Sequence, residues 1–327
     1  TCAARRCIND SVAPGLYRRF TTHPPVTYTN AEQTQGTGRR WHHFNYGLIR
    51  GADGFLYSGT GTEYNNGNDR YEQGRDRCAV LKIDPNAGTV EVTAGGLRSP
   101  NGWGMGPSGE LFFTDIQGNY NPANSIYNYR PGRFYGMRCD TLNPFDGRRG
   151  IREAFPAVAL NQAGQTNSDI GTNPGELVYV TQGVYAGQML YGDVTFGGIQ
   201  RVFLENIGGE WQGAAFLFTG GFRAGIGRLR LGPDGTIYAA SQAGGPSPAS
   251  GNWCWGGGGG VGALTADRPG GNCNMQYDFA KLVPKDTLVF DLLAVRARVD
   301  GFELQFTKKV GPSAGDPANY TFSTWTN

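Results

Sequence analysis

Charge is scarce in this chain. Asp, Glu, Lys and Arg make up 17% of the residues, and 29 basic against 27 acidic side chains leave a net charge of +2. That balance offers no footprint for nucleic acid, whose binding surfaces are strongly basic. Arg39-Arg40 and Arg148-Arg149 are isolated pairs and read as solvated surface. Long apolar runs are missing as well. The stretch Val289–Val295 is only strand-sized, far from the ~20 residues a membrane helix needs. No segment holds a 3.6-residue apolar period without a Gly or Pro interrupting it, which excludes long helices. Histidine is reduced to three residues, His23, His42 and His43.

Cysteine spacing excludes more. None of Cys2, Cys7, Cys78, Cys139, Cys254 and Cys273 forms a C-x-x-C pair. The usual zinc and redox spacings are therefore absent, and so is the C-x-x-C-H of covalent haem. An even count without metal spacing favours disulfides in an oxidising compartment, periplasmic or extracellular. Cys2–Cys7 and Cys254–Cys273 are candidate local bridges, leaving Cys78–Cys139. Six cysteines allow about 15 pairings, so free thiols stay open as an alternative. Asn9-Asp10-Ser11 and Asn319-Tyr320-Thr321 match the glycosylation sequon, which matters only in a eukaryotic secretory host.

Glycine and aromatics are plentiful: 53 Gly, 18 Pro and 12% aromatic residues. Such a mix suits many short strands joined by sharp turns. One phrase is written twice, as GMGPSGELFFTD at 104–115 and RLGPDGTIYAAS at 230–241. Each copy has a tight turn, Pro107-Ser108-Gly109 or Pro233-Asp234-Gly235, followed by an alternating apolar strand. Weaker copies stand at 51–59 (GADGFLYSG) and 186–194 (AGQMLYGDV). Repeated turn–strand units at long spacing predict a β-propeller.

The expected organisation is an irregular lead-in over 1–35, a six-bladed propeller over 36–285 and a short C-terminal β appendage over 286–327. The blade count follows from a period of about 45 residues. Units are expected at 41–85, 97–134, 140–185, 186–219 and around the second strong phrase. The insertion 116–133 reads as a long polar, aromatic loop, a kind that is more often functional than accidental. Gly256–Gly260, five glycines in a row, carries a high ordering cost and reads as a mobile loop or as backbone pressed on a neighbour. The tail 291–326 shows three alternating segments, like the first half of an Ig-like sandwich. Either the chain is cut there or these strands pack on the propeller.

GLRSPNGWGMGPSGELFFTDIQGNY (96–120), RPGRFYG (130–136), GDVTFGGIQRVFLENIGGEWQGAAFLF (192–218) and LLAVRARVDGFELQFT (292–307) together resemble the glucose/sorbosone dehydrogenase-like propellers. The closest likeness is to large propeller proteins of planctomycetes, and the resemblance covers about 40 to 327. It implies a quinoprotein using pyrroloquinoline quinone (PQQ) and Ca²⁺, with a sugar or alcohol as substrate. In such a site a His takes the hydroxyl proton, and Arg side chains hold the cofactor's carboxylates. By the resemblance, His42 is the base candidate. Arg98, in the stretch GLRSPNG, and Asn101 contact the cofactor. Asp115 and Gln117 follow in TDIQG, and Arg228 reaches the mouth. The family pattern TDNQG has Asn where this chain has Ile116. No dense Asp/Asn loop announces Ca²⁺, since Asp69, Glu72 and Asp76 lack EF-hand spacing.

Two classes of function follow. The first is an extracytoplasmic PQQ-dependent dehydrogenase. The second is a non-catalytic propeller, acting as a periplasmic or surface subunit of a membrane-associated assembly or as a glycan-binding module. For the second, Tyr120, Tyr127, Tyr129 and Trp253 are the expected exposed aromatics, able to stack on sugars or anchor a protein partner.

Overall fold

The structure, a computed structural model, describes residues 44–62, 76–116, 123–139, 142–160, 170–171, 173–194, 198–219, 222, 225–242, 279–285 and 287–321, with the backbone of 5–6, 18–19, 64–65 and 68–69. The described residues contain no α-helix; their sheets are antiparallel, with short 3-10 turns and isolated parallel bridges at Phe134. None of their segments is a helix long and apolar enough to cross a membrane.

Four sheets follow one another along the chain. Blade one consists of β1 (Asn45–Arg50), β2 (Leu56–Thr60), β3 (Ala79–Ile83) and β4 (Val90–Gly95). Blade two has β5 (Gly102–Met105), β6 (Leu111–Asp115), β7 (Ser125–Asn128) and β8 (Val158–Ala159). Blade three has β9 (Pro174–Tyr179), β10 (Met189–Asp193), β11 (Gly198–Ile207) and β12 (Glu210–Thr219). Blade four has β13 (Gly225–Leu231), β14 (Ile237–Gln242) and β15 (Phe279–Leu282). Within each blade the strands lie in sequence order, and the first strands β1, β5, β9 and β13 touch successively. This is the radial arrangement of a β-propeller. Six blades are not reached by the described residues. Inner strands begin at Asn45, Gly102, Pro174 and Gly225, so the repeat is longer than the ~45 residues of a short blade.

The repeated phrase builds the same hairpin each time. Gly54, Gly109 and Gly235 have φ of 84°, 90° and 78°, which a side chain rarely adopts. In each turn this glycine's N–H donates to the residue three before it, and the strands then close with Gly51 N–H to Phe55, Gly106 N–H to Glu110 and Gly232 N–H to Thr236. The fourth copy keeps the left-handed glycine, Gly187 at 90°. Its loop is longer and carries Tyr185.

Apolar faces meet between blades. Trp103, Phe113, Tyr127, Tyr129 and Tyr135 fill the space between blades one and two. Phe113 stacks between Trp103 (5.1 Å) and Tyr127 (5.4 Å) and takes the edge of Tyr135 at 4.9 Å. Burying one such side chain contributes about 2–3 kcal/mol. Phe112, Leu177, Tyr191 and Val202 do the same between blades two and three, and Leu190, Ile226 and Leu229 between three and four.

Three expectations need correction. The stretch 116–133 is not one loop, because Ser125–Asn128 pairs along β6 as the third strand of blade two. Consequently Tyr127 and Tyr129 are not exposed: they retain 4% and 9% of their surface and belong to the core. Residues 140–185 and 186–219 are not separate units either, since β9 pairs with β10 in one sheet.

The C-terminal β16 (Leu292–Arg298) and β17 (Gly301–Phe306) form a hairpin, followed by 3-10 turns at Pro312–Gly315 and Pro317–Asn319. The hairpin lies on the outer part of blade three. Arg201 of β11, fully buried, donates to the carbonyls of Leu292 and Leu293 (2.6 and 3.0 Å) and to Gln188 Oε1. Its guanidinium packs 4.5 Å from the Tyr185 and Phe216 rings. A disulfide joins Cys78 to Cys139 across a sequence separation of 61. Closing a loop of that length restricts the unfolded chain by about 4 kcal/mol in the chain-entropy model. Cys2, Cys7, Cys254, Cys273, Gly256–Gly260, Tyr120 and Trp253 lie outside the described residues.

Candidate functional site

The inner strands approach one another backbone to backbone. A Cβ on Gly102 would sit 1.8 Å from the Gly175 carbonyl, and one on Gly175 would sit 2.7 Å from the Gly227 carbonyl. Glycine is required at these positions by space alone. Thr114 stitches the same contact: its hydroxyl accepts from Gly102 N–H (2.9 Å) and lies 3.1 and 3.2 Å from the carbonyls of Pro174 and Gly175. Blades three and four are tied by Glu176, which pairs with Arg230 and accepts from Leu229 N–H.

Against this hub sits the loop Arg98–Asn101. Asp115, the last residue of β6, is 3% exposed and holds that loop. Its carboxylate accepts from the N–H groups of Arg98 (2.9 Å), Ser99 (2.6 Å) and Ile116 (3.1 Å). Burial pushes the Asp115 carboxyl up to about 6, and those N–H donors together with the Arg98 charge work in the opposite direction. The carboxylate is thus spent on positioning Arg98. Ser99 is fixed further by Tyr46, whose hydroxyl lies 2.6 Å from Ser99 Oγ, and Arg98 O accepts from Thr62 N–H.

Asn101 donates from Nδ2 to Pro174 O at 3.3 Å, so its amide bridges blades two and three. Arg228, on β13, reaches across with Nη1 donating to Asn101 O (3.4 Å) and to Gly227 O (3.0 Å). Four residues expected at a site, Arg98, Asn101, Asp115 and Arg228, therefore gather at one end of the hub. His42 and Gln117 lie outside the described residues, as do His23 and His43. The Asn101 amide is committed to Pro174 O, and the Arg228 guanidinium, a cation of the kind that pairs with carboxylates, stands beside it. Among the described residues no group of three His, Cys, Asp or Glu side chains could hold a metal ion.

Reading the sequence alone missed the equivalence of Asp115 and Asp193. Each closes the second strand of its blade, in LFFTD and in MLYGD, and each is buried. Near Asp193, Tyr191 Oη and Asn173 Oδ1 are buried without a hydrogen-bond partner. The shared terminal Asp was a visible signal. One pentapeptide, Gly311-Pro312-Ser313-Ala314-Gly315, matches the G-x-S-x-G pattern of serine hydrolases. It forms an exposed 3-10 turn after a β-hairpin, without the strand-to-helix elbow such a nucleophile needs.

No family model matches the chain, and no curated protein matches it. Among solved structures it is similar to a putative oxidoreductase (glucose dehydrogenase) from Thermus thermophilus, at 20% identity and TM-score 0.43, covering 67% of this chain and 75% of that one. It is similar to the PQQ-bound form of an aldose sugar dehydrogenase from Streptomyces coelicolor, at 14% identity and TM-score 0.38, covering 70% and 79%. A luciferin-regenerating enzyme shares 11% identity at TM-score 0.37, covering 71% and 61%.

Proposed function

We propose that this chain is an extracytoplasmic quinoprotein-like propeller that binds an acidic quinone cofactor of the PQQ type at the hub end and acts on a sugar or alcohol. The observation that carries the reading is the contact of Arg228 with Asn101 at the hub, in the loop that begins at Arg98. Forked guanidiniums pair with carboxylates in two parallel bonds, so Arg98 and Arg228 would hold such a cofactor by its acid groups. The Asn101 amide is already committed to Pro174 O and would orient the loop. The chemistry supplied by the bound group is acceptance of two electrons from the alcohol carbon. In this reading His42 takes the hydroxyl proton, a task that suits an imidazole near neutral pH. No step is assigned to Ca²⁺, because Asp115 is consumed by backbone N–H groups and no ligand cluster stands among the described residues. The Cys78–Cys139 disulfide fits an oxidising, periplasmic or extracellular compartment.

The test is a titration of the purified protein with PQQ, with and without Ca²⁺, followed by the cofactor's absorbance. Saturable binding in the micromolar range is expected, weakened at least tenfold in Arg98→Ala and Arg228→Ala. His42→Gln should keep binding and lose oxidation of sugars. Absence of binding at micromolar concentration overturns the proposal. A second reading would then take its place, a non-catalytic propeller serving as a subunit of a larger assembly. The closed backbone contact at the hub favours it.

A further inference from the structure

Away from the hub, a cleft opens at the outer rim of blade two. Phe134 pairs in parallel with Glu153, and Phe134 N–H donates to Arg152 O at 3.3 Å. That register sets Arg133 directly beside Arg152, and both line the cleft, together with Arg130 and the carboxylates Glu153 and Glu210. Like charges placed opposite one another are destabilising. Neither guanidinium has a carboxylate within ion-pair distance among the described residues, whereas their neighbour Arg130 is engaged by Glu210 at 3.0 Å. Two guanidiniums in register, neither of them ion-paired, offer forked donors to one planar anionic group.

The same cleft carries aromatic surface. Phe155 stands 85% exposed at its edge. Trp211 lines the wall and is held edge-on against Phe112, with ring centroids 5.7 Å apart. A phenyl ring left in water is unfavourable relative to a covered one. Rigid aromatic faces beside fixed donors suit a flat, partly apolar ligand. A pyranose ring has such a face in its axial C–H groups, and a carboxylate on that ring would meet the guanidinium pair.

We propose that this cleft is a binding site for a carboxylated saccharide, the uronic acid class, with Arg133 and Arg152 taking the carboxylate and Phe155 and Trp211 the sugar face. The site is independent of cofactor binding at the hub. Tri-galacturonate and its neutral counterpart galactotriose, titrated calorimetrically into the whole chain, test it. Saturable binding of tri-galacturonate is expected, with galactotriose at least tenfold weaker. Arg152→Ala and Phe155→Ala should each weaken binding at least fivefold while leaving the unfolding midpoint unchanged, since both side chains are exposed. Equal binding of the neutral sugar, or no loss in either variant, overturns the proposal. Sulfate binding as tightly as the trisaccharide overturns it too, by reducing the cleft to an unspecific anion patch.

Discussion

Arg201 Nη2 lies 3.0 Å from Asp291 Oδ2, joining blade three to the C-terminal hairpin across 90 residues of sequence. The same carboxylate oxygen accepts from the Tyr185 hydroxyl at 3.0 Å. Burial lowers the pKa of the Arg201 guanidinium, and Asp291 opposes that shift. Arg201 is buried and Asp291 partly exposed, so removing the guanidinium takes a donor from Gln188 Oε1 and from two carbonyls, at a cost of about 3 kcal/mol. Arg201→Ala should therefore destabilise the chain by that order and free the hairpin. Urea unfolding gives the first quantity, and hydrogen exchange over 292–306 gives the second. Arg201→Lys should not restore protection, since one ammonium cannot serve two carbonyls, Gln188 and Asp291 together. Unchanged exchange in Arg201→Ala would show that the hairpin is held without Arg201.

Asp115 makes stability depend on pH in a direction unusual for a carboxylate. Its carboxyl titrates at about 6 in the folded chain against 3.8 for a free side chain. Between those values the folded state keeps a proton that the unfolded state has lost. Stability should therefore fall as pH rises from about 4 to about 6 and stay level above, by roughly 3 kcal/mol in all. Urea midpoints at pH 4.5 and pH 7 measure the slope. In Asp115→Asn that slope should shrink, and the Arg98 loop should loosen because an amide cannot accept at both ends.

Gly102→Ala and Gly132→Ala separate two reasons for a glycine. At Gly102 the added carbon collides with a main-chain carbonyl of the next blade. At Gly132, with φ of 78°, it meets nothing within 4 Å. The first should cost about 3 kcal/mol or more, as overpacking against backbone does. The second should cost about 1 kcal/mol, the strain of a left-handed residue. Thermal unfolding of both variants side by side checks the ranking, and equal shifts would contradict the hub contact.

The propeller was legible because its turns are written in residues with one physical meaning. Pro107-Ser108-Gly109 and Pro233-Asp234-Gly235 demand a left-handed glycine, and both glycines have it. The Ser125–Asn128 strand was hidden because Ser and Asn mask its alternation, so Tyr127 looked like loop. The period was misjudged because insertions of unequal length lie within the blades, between Thr60 and Ala79, Asn128 and Val158, and Gln242 and Phe279. Arg98, Asn101 and Arg228 were named from sequence, and Arg228 does reach Asn101, but the task of Asp115 could not be read there. Nothing local announces that a carboxylate will turn inward to three backbone N–H groups. The Arg133–Arg152 pair was equally invisible, since only the parallel register brings the two together.

The glycine contacts among β5, β9 and β13 also govern how this protein can vary. Where main chain touches main chain, positions 102 and 175 admit a single residue type. A library randomised at those positions should return glycine and little else. One randomised at Arg98, Asn101 and Arg228 should return folded proteins of varied residue type. Diversification of the hub is therefore confined to its rim loops, and the axis itself is inherited unchanged or not at all.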